Sequence, residues 1–257
     1  MTISLTHPPQ KCNYETHGLP RTDSYDFYGG EVNSNLMEFR LIYKGPLPAE
    51  GAGGSRAREK HTLRKHFHKQ LRELWRQHPD LREQAECYFT VTTTPDNMVC
   101  YPGPGFPQIT RVPQGTPGAK TWLEHLADDH QRCGGRFVPI VTKAGGYSCS
   151  LRILFLRRDN PGHLIASGGD IDNRLKVLFD GLRMPDTVGE LGALPLEADE
   201  NPFFCLLEDD SLITSVTVTT DRLLIPQDTG ERIHDVYLVI HATVVNPSAV
   251  FAGNRLV

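Results

Sequence analysis

The sequence predicts an α+β domain in which a small mixed β-sheet carries helices packed on one face. Three observations predict it. Short runs of alternating or β-branched apolar residues recur near 39–43, 149–157, 212–220 and 236–245. Two segments, about 58–78 and 172–183, carry a single apolar stripe of helical period. The order is strand, helix, strand, helix, strand, strand, with a large insertion after the first helix. That order suits one layer of helices on one sheet.

Taken in order, residues 1–35 are polar and rich in Pro, Gly, Asn and Thr, with no period, and read as an irregular arm. Phe39, Leu41 and Tyr43 alternate with Glu38, Arg40 and Lys44, the pattern of a strand. Gly45-Pro46-Leu47-Pro48 ends it, and the glycine-rich stretch 49–55 reads as a flexible loop. Leu63, Phe67, Leu71, Leu74 and Trp75 then line one helix face, and Pro79 marks the end. Residues 84–146 read as an insertion: a strand at 88–94, a long Pro- and Gly-rich excursion at 101–118, a short helix at 122–131 and a strand at 137–142. Residues 149–157 form a strand that is apolar on both faces near its end. Ile171, Leu175, Leu178, Phe179 and Leu182 stripe the second helix, which Pro185 stops. Residues 186–204 read as a loop, and β-branched strands follow at 212–220 and 236–245. The organisation is thus an arm (1–35), a first core part (36–83), an insertion (84–146) and a second core part (147–257) that carries the acidic residues.

Of the 257 residues 39% are hydrophobic and 23% charged, which excludes collagen-like, coiled-coil and wholly disordered classes. No apolar run approaches the length of a membrane span, so none is expected. The first residues have neither a charged region nor an apolar one, so no secretory leader is expected. The 6 cysteines are widely spaced with no C-x-x-C, as in a cytoplasmic protein with reduced thiols. Cys205, between Phe204 and Leu206, reads as a small core residue.

Charge is unevenly distributed. Residues 56–82 are strongly basic, through Arg56, Arg58, Lys60, Arg64, Lys65, Lys69, Arg72, Arg76 and Arg82. Residues 183–235 are strongly acidic. Two such blocks suggest an anionic partner and, separately, a cation or basic partner. The bland reading of the first block is a solvated helix face.

The chemistry concentrates at Asp170-x-Asp172-Asn173-x-x-Lys176-x-x-x-Asp180-x-Leu182. Asp170 sits where a helix begins, a natural N-cap. Asp172, Lys176 and Asp180 are spaced i, i+4 and i+8, on the face opposite the apolar stripe. Paired carboxylates with a lysine one turn on can hold a hard cation and a phosphate together. Glu208-Asp209-Asp210 lies just before the 212–220 strand. If that strand pairs beside 149–157, Asp210 falls at the same sheet end as Asp170. The bland readings are a helix cap at Asp170, an i,i+4 ion pair worth about 0.2–0.5 kcal/mol at Asp172–Lys176, and a solvated turn at 208–210.

This pattern resembles the RusA family of Holliday-junction resolvases, common in prophages. The matching positions are Asp170, Asp172, Asn173, Lys176, Asp180, Leu182, Asp209, Asp210 and Ile213, with the strand, proline turn and basic helix of 37–78. The resemblance implies a homodimeric, Mg²⁺-dependent DNA endonuclease, with Mn²⁺ able to substitute. It implies that Asp170, Asp172 and Asp210 bind metal and that Lys176 contacts phosphate or assists the reaction. Arg56, Arg58, Lys60, Arg64, Lys65, Lys69, Arg72 and Arg76 would then track the DNA backbone with salt-sensitive affinity. The chain departs from the family in its length, its arm, the 84–146 insertion and the 183–207 loop. The insertion is a candidate seat for a protein partner. The rival functions are a non-catalytic DNA- or protein-binding module of this fold, and a nuclease of flaps, forks or RNA. His66 and His68 are expected to add surface or DNA contacts. His125, Asp129, His130 and Cys133 match no closed zinc spacing. No P-loop, dinucleotide fingerprint or nucleophile elbow is present.

Overall fold

The computed structural model describes residues 36–49, 56–93, 107–158, 170–224 and 235–245. The fold is α+β, as the pattern predicts. Its main sheet has four strands in the order β1-β10-β7-β9: β1 (Leu36–Pro46), β10 (Asp235–Val245), β7 (Ser148–Arg157) and β9 (Ile213–Arg222). β10 runs antiparallel to both β1 and β7, and β9 runs parallel to β7. The sheet joins the first and second core parts across the whole chain.

Alternation sets the inner face. Leu41, Ile240 and Ile153 stand side by side across the sheet, as do Tyr43, Leu238 and Phe155. All six are buried. Against them pack α1 (Ala57–Gln77), through Leu63, Phe67, Leu71 and Trp75, and α4 (Asp170–Leu182), through Val177, Leu178 and Leu182. The two helices touch each other. Gly181 allows it, because a Cβ there would lie 2.7 Å from Leu63 Cβ.

The insertion is more ordered than its sequence suggests. Pro79 does end α1, and it also opens a second helix, α2 (Pro79–Glu86), because a proline at the first turn loses no hydrogen bond. β2 (Tyr88–Thr93) pairs with β3 (Pro107–Val112) and β4 (Lys120–Thr121). A Thr121–Glu124 capping box starts α3 (Trp122–Asp129). β5 (Gln131–Arg132) pairs with β6 (Gly135–Val141), which runs parallel to β8 (Phe203–Leu207). The stretch 186–204 was expected to be loop throughout. Its end is instead the start of β8, whose five residues are all buried, Cys205 among them. A continuous apolar run of this kind shows no period-2 signal. Burial pushes the Cys205 thiol up to about 12.

One side chain fixes how α4 lies on α1. Arg64 is 1% exposed. Its guanidinium donates to the Asp180 carbonyl at 2.7 Å and the Arg183 carbonyl at 2.9 Å, both at the C-terminal end of α4. It also lies 3.6 Å from the Glu190 carboxylate. Glu190 sits in a 3-10 turn (Val188–Leu191) that Gly192 closes at φ +58°. A Cβ at Gly192 would meet the Arg58 backbone at 2.4 Å, so this turn presses directly on the start of α1.

Two histidines complete the α1–β8 contact. His68 Nδ1 accepts from the Phe204 amide at 2.9 Å, and its ring lies 4.4 Å from that of Phe203. His61 Nδ1 accepts from Arg64 at 3.2 Å. Both rings are buried and therefore neutral. Burial first, then nearby cations, lowers each from 6.5 to about 4. His68 was expected on the surface; the same helical turn that carries Phe67 inward takes it into the core. No helix among the described residues is long and apolar enough to cross a membrane.

Two outcomes follow from this packing. Arg64→Ala leaves the Asp180 and Arg183 carbonyls without their buried donor, while Glu190 keeps Arg183 at 3.2 Å, and urea unfolding is expected to show a loss of about 2–5 kcal/mol. Arg58→Ala, at an exposed position, is expected to stay within about 0.5 kcal/mol. The histidines set an acid limb. Above pH 6.5 both folded and unfolded chains hold them neutral and their contribution is complete. As pH falls from 6.5 toward about 4 the unfolded chain binds protons that the fold refuses. Stability measured by urea titration should therefore fall through that window, by up to about 3 kcal/mol per ring.

Candidate functional site

α4 carries most of the predicted site. Asp170 opens the helix, and its side chain lies outside the described residues. Asp172 and Lys176 are exposed, one turn apart, and neither has a polar partner among the described residues. Asn173 is half-buried beside them. Arg174 donates to the Leu47 carbonyl and so ties α4 to the segment after β1.

Asp180 does not share this open face. It pairs with Lys60 at 2.8 Å and with Arg183 at 2.9 Å. Helical geometry explains the difference, since at 3.6 residues per turn a residue eight positions on has rotated by about 80°. That turns Asp180 from the solvent toward α1, where it holds the helices together.

The acidic triplet also divides. The Glu208 carboxylate accepts from the Lys143 amide at 2.8 Å and lies 3.6 Å from Arg132. Asp209 caps a 3-10 turn (Asp210–Leu212) by accepting from the Ser211 amide at 2.9 Å. The Ser211 contacts, with Lys143 at 3.0 Å, hold its carboxyl well below the usual carboxylate range. Asp210 is exposed, with no polar partner among the described residues. Its turn packs on α4.

β9 does pair beside β7, with Ile213 opposite Cys149. Asp210 therefore enters at the first residues of β7. Pairing alone does not bring Asp170 to that end, because β7 ends at Arg157 and the chain reaches α4 through 159–169, outside the described residues. Among the described residues, no three His, Cys, Asp or Glu side chains gather closely enough to hold a metal ion. Asp172 and Asp210 carry carboxylate oxygens, the donor type a hard cation takes, and neither has a cation partner among the described residues.

The basic helix differs most from expectation. Arg64 is buried, and Lys60 is buried against Asp180, so neither has surface to offer a phosphate. Lys65 is bound at 2.9 Å by both Glu197 and Glu200. Arg56 pairs with Glu59 at 3.4 Å, and Arg72 is half-buried and donates to the Asp199 carbonyl at 3.4 Å. Arg58, Lys69 and Arg76 face solvent, and Arg76 pairs there with Glu73 at 3.1 Å. His66 is exposed and bonds the Ile42 carbonyl at 2.9 Å.

The weak zinc candidates do not assemble. His125 bonds the Phe89 carbonyl, and His130 bonds the Leu126 carbonyl. Sequence reading missed Lys143, which neutralises Asp209, and Arg183, which joins Asp180, Asp186 and Glu190. Only the pattern of acids around each could have signalled them. Comparison of the chain with protein-family models, with curated proteins and with solved structures finds no match, so the likeness to RusA rests on the residues quoted above.

Proposed function

We propose that this chain is a metal-dependent endonuclease of branched DNA that works through Asp170, Asp172, Lys176 and Asp210. One observation carries the reading. Among the described residues, Asp172, Lys176 and Asp210 are exposed and have no polar partner on α4 and the turn packed on it, while neighbouring acids are paired. Asp180, Glu190, Glu200 and Asp209 all have cation partners.

Phosphodiester hydrolysis needs the phosphate charge offset and a water activated. Mg²⁺ bound by Asp172, Asp210 and Asp170 would supply both. Lys176, one turn from Asp172, would offset charge that develops on the phosphate. Arg58, Lys69 and Arg76 offer the backbone contacts on α1. A homodimer would present two such sets to the two sides of a branch.

A second reading, a non-catalytic binding module, is favoured by a specific observation. Much of the cationic surface of α1 is spent inside the fold, and no three potential ligands gather among the described residues.

Cleavage of labelled four-way junction, fork, flap, duplex and single-stranded DNA and RNA, with Mg²⁺, Mn²⁺ or EDTA, separates these readings. On the nuclease reading Asp172→Asn and Asp210→Asn each lower the metal-dependent rate about 100-fold or more with unchanged melting. Asp180→Asn instead lowers the melting temperature. Binding without cleavage of any substrate decides for the module. The salt dependence of DNA binding is a separate check. With only Arg58, Lys69 and Arg76 on phosphates, the slope of log K against log salt should be roughly −3 per chain, where all eight cations would give roughly −7.

A further inference from the structure

We propose that a cavity between α1, α2, α3 and the segment before β8 binds a nucleoside phosphate, at a site separate from the acidic residues of α4. The cavity holds about 510 Å³, within the range of small-molecule sites. It lies beside Trp75, 11 residues along α1 from Arg64, or about 16 Å at the helical rise. The proposal does not depend on the nuclease reading.

Its lining has two chemical parts. Trp75, Leu123, Pro202 and Phe204 give an apolar, partly aromatic wall. Arg72, Arg76, Arg82 and Arg136 bring guanidinium groups to the same space. Flat apolar walls beside guanidinium groups suit a ring joined to a phosphate.

Three residues of the lining also carry buried polar atoms that have no partner among the described residues. Trp75 is only 4% exposed, and its indole Nε1–H has no acceptor among the described residues. Arg72 Nε and Arg136 Nε are buried and equally unmet. All three are donors, and all three belong to residues that line the cavity. Buried donors are rarely left so in folded proteins. Each guanidinium is anchored at one nitrogen: Arg72 on the Asp199 carbonyl, and Arg136 on Asp128 at 2.7 Å. These anchors hold the donors in place before a ligand arrives.

The acids present narrow the ligand further. The Glu124 carboxylate is turned to the Thr121 amide and hydroxyl, at 2.7 and 2.9 Å. Glu86 and Asp199 also line the cavity, with no ion pair among the described residues. They would repel a bare polyanion, yet they accept hydrogen bonds from sugar hydroxyls or a base amino group. A nucleoside phosphate offers donors and acceptors in that combination. It could reach the cavity as a free nucleotide or as the 5′-phosphorylated end of a strand.

The test is calorimetric titration of the full chain in EDTA, which keeps divalent metal away from the acidic residues. The probes are adenosine 5′-monophosphate, adenosine, inorganic phosphate, and a hexanucleotide with or without a 5′-phosphate. Saturable binding is expected for the monophosphate or the phosphorylated hexanucleotide, with adenosine, phosphate and the unphosphorylated strand at least ten-fold weaker. Tighter binding of the free nucleotide identifies a small-molecule site, and tighter binding of the phosphorylated strand identifies a strand-end site. Arg82→Ala, at an exposed position, should weaken binding about ten-fold. Trp75→Phe, which removes only the indole N–H and part of the ring, should weaken it about five-fold, with a melting curve confirming the fold. If Trp75→Phe does not fold, Arg82→Ala decides. Absence of saturable binding, phosphate binding as tightly as the nucleotide, or wild-type affinity in Arg82→Ala overturns the proposal. None of these results bears on whether the α4 acids cut DNA.

Discussion

The arrangement of the described core depends on one buried guanidinium. The apolar stripes of α1 and α4 bury well, but hydrophobic contact has no direction, and two striped helices can slide past each other. Arg64 removes that freedom. A helix ends with carbonyls that have no partner within the helix, and its C-terminal end carries partial negative charge. Arg64 meets both conditions at once at Asp180 and Arg183. Burying its charge costs desolvation, which Glu190 and the carbonyls offset only in this geometry. The bonds therefore specify one register for α4.

That constraint changes the meaning of the charge pattern. A basic block and an acidic block suggested two outside partners. In the fold the two blocks meet in part: Arg64 with Glu190, and Lys65 with Glu197 and Glu200, while Lys60 is taken by Asp180 just outside the acidic block. These contacts lie far apart in sequence, so no local window reveals them. The segment carrying Glu197 and Glu200 runs along α1 by this pairing, and Arg72 continues it at the Asp199 carbonyl. The same segment then supplies Pro202 and Phe204 to the cavity wall.

What could be read from sequence was what repeats locally. Phe39, Leu41 and Tyr43 announced β1 because one sheet face is buried and the other wet. Leu63, Phe67, Leu71 and Trp75 announced α1 for the matching reason at helical period. β8 was not legible as a strand because Phe203–Leu207 is buried on both faces and shows no alternation. α2 was hidden because Pro79 reads as a stop, although it also suits a first helical turn. In the site, Asp172 and Lys176 emerged on the open face as their spacing suggested, while Asp180 drifted inward. The cavity had no sequence signature at all. Its walls come from several separate segments, and only the fold brings Arg72, Arg82 and Arg136 together.

Lack of a partner does not by itself mark Asp172 or Asp210 as functional. An exposed carboxylate in water costs little to leave alone, and surface pairs contribute little when present. The weight lies in how the surroundings are arranged. Asp209, next to Asp210, is locked by Ser211 and Lys143, so the turn that presents Asp210 is rigid at its root. α4 is clamped at its far end by Arg64 and pressed onto α1 at Gly181, so the turn that presents Asp172 and Lys176 is not free to wander. Fixed backbones holding unengaged charges are what a site for a charged ligand requires, because the ligand then need not order the groups that bind it. A merely solvated surface has no such need. The same logic joins the two ends of α1: its first turns hold α4 in place, and its last turns hold Arg72, Trp75 and Arg76 around a cavity. In both places, charges spent inside the fold keep the unspent ones where a ligand can reach them.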